Sequence, residues 1–110
     1  MIDSTLVMVY TTFPDQEQAS VVAQQLVNSR LAVCVNISNG HKAFYQQNQE
    51  CVECNEVGMM IKTLEDRYEN LCEFLQKIHP YSIPMILSWP AAANKSYTMW
   101  AMHQSMLMSA

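Results

Sequence analysis

An α+β domain with an antiparallel sheet and a split βαβ order is the fold class this sequence predicts, and three observations predict it. Apolar runs of strand length and stretches of helical periodicity follow one another as strand, helix, strand, strand, helix, strand, with a short helix at the end. The second and third strand runs are separated by turn chemistry at Asn39-Gly40 and a polar stretch, which implies an irregular hairpin. Within the third run, CVECNEVGMMIKT from Cys51 to Thr63, the apolar positions are even at Val52 and Cys54 but odd at Val57, Met59 and Ile61. Side chains two apart on a strand share a face, so the buried face changes near Glu56. Such a change requires either a bulge that re-aims the side chains or a strand that leaves its own core and covers its first half with another molecule, a second copy being the simplest.

The first run, Thr5 to Thr12, is continuously apolar at its centre, as befits a strand covered on both faces, and Pro14 closes it. Asp15 followed by Gln18 makes a capping-box pattern, and Ala19, Val22, Ala23, Leu26 and Val27 continue at helical spacing, so residues 15–30 form an amphipathic helix. Leu31 to Ile37 returns as a strand, Asn39-Gly40 turns the chain into His41 to Gln47, and the polar segment from Tyr45 to Glu50 leads into the long strand. Thr63 is positioned to cap a helix in which Tyr68, Leu71, Cys72, Leu75 and Ile78 share a face, and His79-Pro80 stops it. The last strand, Ile83 to Trp89, lies between Pro84 and Pro90, which confine it to a sheet edge because proline donates no ladder hydrogen bond. A methionine-rich helix from Ser96 to Met108 ends the pattern.

The element order is that of ferredoxin-like domains, with the helices on one face of the sheet. Its other face is left bare, yet the strands at 5–12 and 31–37 do not alternate as a solvated face requires, so self-association is expected. Composition points the same way. The chain has 110 residues, the size of a single domain spanning 1–110, and half of them are hydrophobic while only 15% are charged, too few to cover a monomer's surface. Its net charge of -4 and its six scattered basic residues argue against a nucleic-acid partner. No apolar run is long enough to span a bilayer, and MIDST at the start has neither a basic region nor a cleavage pattern, so no membrane partner and a cytoplasmic location are expected. The four cysteines then read as free thiols.

Each candidate for chemistry has a plain structural alternative. Cys51 and Cys54 have the spacing of a redox or zinc motif, but three residues apart on a strand they point to opposite faces, about 10 Å from one another, too far to chelate or bridge. Cys34 could ligate copper as a thiolate or pack as a small hydrophobe. His79 could offer an imidazole to a metal ion or serve the end of the preceding helix. Met99, Met102 and Met106 with His103 could form a soft Cu(I) face on the last helix, although a methionine stripe at this spacing is ordinarily packing. Glu50, Glu53 and Glu56 could attract hard cations weakly. No phosphate-binding glycine loop and no nucleophile signature is present, so no enzymatic reaction is expected.

Four segments together resemble a known family. Phe13-Pro14-Asp15 after a buried strand, Leu31 to Asn36 after the first helix, Ile61-Lys62-Thr63 closing the long strand, and His79-Pro80-Tyr81-Ser82-Ile83-Pro84 are similar in order and spacing to the CutA family of divalent-cation tolerance proteins, as is the closing Tyr97 and Trp100 pair. The resemblance covers nearly the whole chain and implies a ferredoxin-like subunit in a tight homotrimer whose long hairpins wrap neighbouring subunits. It implies a cytoplasmic role in the response to divalent cations, with weak binding of copper or a similar ion and no obligatory cofactor; of the family's copper-site set His79 is retained, and Cys34 is the second expected ligand. Alternatives are a PII-like signalling module with a small-ligand cleft between subunits near Glu56, Lys62, His79 and Tyr81, or a trimeric scaffold for partner proteins. Three departures stand out. Tyr45 to Glu50 lacks the family's hairpin tryptophan and glycine, Met85 replaces a cleft glutamate, and Thr11 and Ile78 stand where some members have a copper-site cysteine and histidine.

Overall fold

The computed structural model describes residues 6–106 of the chain. The strands β1 (Leu6–Phe13), β2 (Cys34–Gln47), β3 (Glu50–Leu64) and β4 (Leu87–Ala91) form one sheet in the order β2-β3-β1-β4, with all three pairings antiparallel. Helices α1 (Gln16–Asn28) and α2 (Tyr68–Ile78) connect the strands in the split βαβ manner, and α3 (Lys95–Met106) follows the sheet. Thr5, expected to open the first strand, and residues 107–108, expected to close the last helix, lie outside the described residues.

One core joins the sheet to the two connecting helices. Val9 and Phe13 of β1 and Val57, Met59 and Ile61 of β3 share a face, and on it they bury Ala19, Val22 and Leu26 of α1 and Leu71 and Leu75 of α2. The third helix takes the other face. Leu6 and Leu64 are register partners of opposite parity to that core, and they bury Ala101 of α3 with Tyr97 packed alongside. Two helices therefore lie on one face, and α3 caps one end of the other. Elsewhere on that second face Leu87 and Trp89 of β4 are exposed.

The helix boundaries follow local hydrogen bonding. Asp15 caps α1 by accepting from the Gln18 backbone N–H at 2.8 Å, and the Gln18 side chain donates to the same carboxylate at 3.0 Å, a variant of the expected box. After α1 the chain reverses through Arg30 at φ 64, and the N–H groups of Leu31 and Ala32 both donate to the Leu26 carbonyl. Leu31 and Ala32 are thus spent on closing the helix, the Val33 N–H donates to the Lys62 carbonyl at 2.8 Å, and the second strand begins at Cys34 rather than Leu31. Thr63 does not cap α2. It stays in β3, buried, with its hydroxyl donating to the Leu31 carbonyl at 2.6 Å, while a single 3₁₀ turn, Glu65–Arg67, leads into α2. The final strand is shorter and later than the sequence suggests, Leu87–Ala91, but it does lie at the sheet edge, with Pro90 opposite Val7.

The largest correction concerns the hairpin. Asn39-Gly40 is a bulge rather than a turn: Ile37 pairs with Met59 and Gly40 with Val57, so Ser38 and Asn39 together face Gly58. β2 runs on without reversal to Gln47, and the reversal is a two-residue turn at Asn48 and Gln49, with φ 52 and 66. Positive φ at both central positions is the hairpin geometry whose twist matches the flanking strands. The bulge shifts the parity of β2 but not that of β3. Beyond it His41, Ala43 and Tyr45 share the helix-free face with their partners Glu56, Cys54 and Val52.

Candidate functional site

The root of this hairpin gathers the polar side chains that the rest of the fold keeps apart. Glu56 is the last residue of β3 before the core begins, and its side chain is only 14% exposed. A carboxylate so placed needs partners, and it has two. The His41 Nε2 lies 3.3 Å from Oε1, delivered by cross-strand pairing after the bulge, and the Tyr81 hydroxyl donates to Oε2 at 3.2 Å. Burial, reinforced by the Glu56 charge, pushes the Tyr81 phenol up to about 12, so Tyr81 remains a hydrogen-bond donor throughout the physiological range.

Tyr81 is held in place by His79, which turns out to be part of the framework. His79 is buried, stacks on Phe13 with ring centroids 4.4 Å apart, and has Tyr81 tilted against it at 5.0 Å. Its Nδ1 accepts from the Tyr81 backbone N–H at 3.2 Å, so Nε2 carries the proton and donates to the Thr12 carbonyl at 2.8 Å, with the Thr11 hydroxyl 3.2 Å away. Burial lowers its pKa and favours the neutral ring. With both nitrogens engaged, no lone pair of His79 faces open space.

The other expected residues lie elsewhere. Cys34 sits at the opposite end of the sheet, half-buried opposite Lys62, with its thiol 3.7 Å from Asn36 Oδ1, so the structure does not bring it to His79. Lys62 shares a face and a strand with Glu56, but six residues along β3 separate the two by about 20 Å. Its ammonium lies 6.0 Å from the centre of the Tyr97 ring on α3. Of the expected cleft residues, Glu56 and Tyr81 meet within one chain, and Lys62 of the same chain lies apart from them. Cys51 and Cys54 are both free, as the strand geometry requires. A shallow cavity of about 490 Å³ beside α2, lined by Tyr68, Glu69, Cys72, Glu73, Gln76 and Ile86, contains none of these residues.

His41 is the residue that sequence reasoning passed over. Its signal was the pairing with Glu56, which emerges only when the reversal is placed at residues 48 and 49 and the bulge at residues 38 and 39. Among the described residues no three metal-ligating side chains of the histidine, cysteine or carboxylate type converge, so the His41 and Glu56 pair is the nearest approach to a nitrogen and oxygen donor set.

Comparison with known proteins gives this geometry a family. Residues 7–104 match the model of the CutA1 divalent ion tolerance protein. The divalent-cation tolerance protein CutA of Pyrococcus horikoshii is 38% identical over 101 residues, covering 91% of this chain and 98% of that protein. The crystal structure of CutA1 from the same organism superposes with a TM-score of 0.84 at 37% identity, covering 89% of this chain and 96% of the other. CutA from Synechococcus elongatus superposes with a TM-score of 0.90 at 26% identity, covering 96% and 94%. The match of nearly the whole chain, in sequence and in backbone, shows that it belongs to the CutA1 divalent ion tolerance family.

Proposed function

We propose that this chain works as a cytoplasmic homotrimer in divalent-cation tolerance, binding copper or a similar ion weakly at the hairpin root and acting by binding rather than by catalysis. The observation that carries the reading is the His41 and Glu56 pair, an imidazole nitrogen and a carboxylate oxygen 3.3 Å apart. Borderline divalent ions such as Cu(II) and Zn(II) accept both donor types. Two protein donors fit a weak, exchangeable cargo rather than a resident cofactor, because closed sites use four. Tyr81 orients the carboxylate through Oε2, and the engaged ring of His79 orients Tyr81. Association is supported by the uncovered apolar residues of the helix-free face and of the hairpin, where Phe44 is 63% exposed. Three copies is the number that the resemblance to CutA proteins implies. The four free thiols fit the reducing chemistry of the cytoplasm.

Light scattering together with calorimetric titration of metal-free protein by Cu(II) and Zn(II) tests the proposal. A trimer is expected, with weak binding that falls at least tenfold in His41→Ala and Glu56→Gln and is retained in a trimeric His79→Ala variant. A soluble monomer would remove the assembly from the reading. Unchanged affinity in His41→Ala and Glu56→Gln would remove the site, and loss confined to His79→Ala would return the ligand to His79.

A further inference from the structure

The methionines of α3 are not core residues. Met59, in the sheet, is completely buried, as a packing methionine should be, whereas Met99, Met102 and Met106 are 59%, 44% and 66% exposed. At 100° per residue Met99, Met102, His103 and Met106 occupy one arc of about 100° on the helix, away from the buried Thr98, Ala101 and Ser105. His103 is exposed and has no hydrogen-bond partner among the described residues. Side chains three and four apart on a helix are neighbours, so three thioethers and one imidazole are brought within reach of a common point.

From this cluster we infer that the outer face of α3 binds a soft monovalent metal ion, Cu(I), through the sulfur atoms of Met99, Met102 and Met106 and a ring nitrogen of His103. Thioether sulfur discriminates strongly between metals: it favours Cu(I), while the oxygen-seeking and borderline divalent ions prefer carboxylate and imidazole. This site is therefore independent of the His41 and Glu56 pair in position and in the ion it selects. Leucine has nearly the shape of methionine but no sulfur. A Met→Leu exchange thus separates metal binding from simple apolar cover by another protein surface.

The test uses Ag(I), a redox-inert stand-in for Cu(I), added to the full chain carrying ¹³C-labelled methionine methyl groups. Titration continues past the four equivalents that the cysteines could hold. The expected result is a saturable shift of the Met99, Met102 and Met106 methyl signals together with the His103 ring, while the Met59 signal stays in place. In competition with a chromogenic Cu(I) chelator, the combined Met99→Leu, Met102→Leu and Met106→Leu variant is expected to bind one equivalent fewer than the parent. Methyl signals that do not move overturn the inference, as does a leucine variant with unchanged stoichiometry, which would make the face an apolar docking surface.

Discussion

In the inner half of β3 the side chains of Val57, Met59 and Ile61 are buried in the core shared with α1 and α2, whereas in the outer half, from Glu50 to Glu56, no residue is buried. The two halves are one continuous strand, paired to one continuous partner, with the same backbone hydrogen bonding. What differs is the face on which the apolar side chains lie. Inside, they point to the helices. Outside, Val52 and Cys54 point to the helix-free face, where their neighbours are Ala43 and Tyr45 of β2 and nothing from the helical layer. Backbone pairing alone builds a strand, but a strand becomes a stable part of a fold only when a side-chain layer covers it. The inner half has its layer within the chain, and the outer half has none among the described residues.

The sharpest contrast should come from truncating one side chain in each half. Ile61→Ala is expected to cost about 2–5 kcal/mol, as for any fully buried aliphatic residue that leaves a cavity. Phe44→Ala is expected to change the stability of the isolated subunit by no more than about 0.5 kcal/mol, because its ring is largely in water. Urea denaturation at concentrations where light scattering finds monomers measures both. Equal losses would mean that the outer half has a tertiary partner of its own.

A smaller effect is expected at the junction between the halves. A Cβ built on Gly58 would lie 2.5 Å from the Tyr10 hydroxyl and 3.0 Å from Ser38 Oγ, so Gly58→Ala must push the tyrosine or the bulge aside. The expected cost is about 1–3 kcal/mol. Adding Tyr10→Phe removes the nearest atom and should return part of that cost. A double-mutant cycle with strictly additive losses would show that the clash is absorbed elsewhere.

The smallest effect is one of pH, and it concerns the framework histidine His79. Burial lowers the His79 pKa below 6.5, so the unfolded chain takes up a proton more readily than the folded one. The contribution of the neutral ring is complete above the unfolded value and is lost as pH falls from there toward the lowered one. Stability of the parent should therefore decline as pH falls below about 6.5 more steeply than that of His79→Gln, in which this group does not titrate. Parallel curves would show that His79 is not the source of the decline.

The inner half was the legible one. The apolar spacing of α1 and α2, the Asp15 cap, the edge position of the last strand and the change of face near Glu56 could all be read from residue order, because local periodicity and burial agree there. Asn39-Gly40 misled because it has the strongest two-residue turn chemistry in the chain, while the true reversal uses Asn48, which accepts positive φ, followed by Gln49, which has no such preference. A ladder running from Cys34 to Gln47 outweighs that local cost, and a ladder is a sum over many residues that no dipeptide displays. The site was half legible for the same reason. Glu56 and Tyr81 lie in recognisable segments, but His41 joins them only through register.

The bulge at Ser38 and Asn39 also sets a rule for how this chain can change its length over evolutionary time. Removing one of these two residues would restore simple pairing opposite Gly58 and leave every core contact of β3 intact. The pairs of Gly40 with Val57 and of His41 with Glu56 would be kept, so the outer stretch of β2 would hold its facing, with Ala43 and Tyr45 on the helix-free side. A cross-strand residue pair added at the tip would likewise lengthen the arm and preserve every facing. Loss of a single residue between Ile37 and Gly40 should thus be tolerated among descendants of this sequence, while variation in hairpin reach accumulates in steps of two.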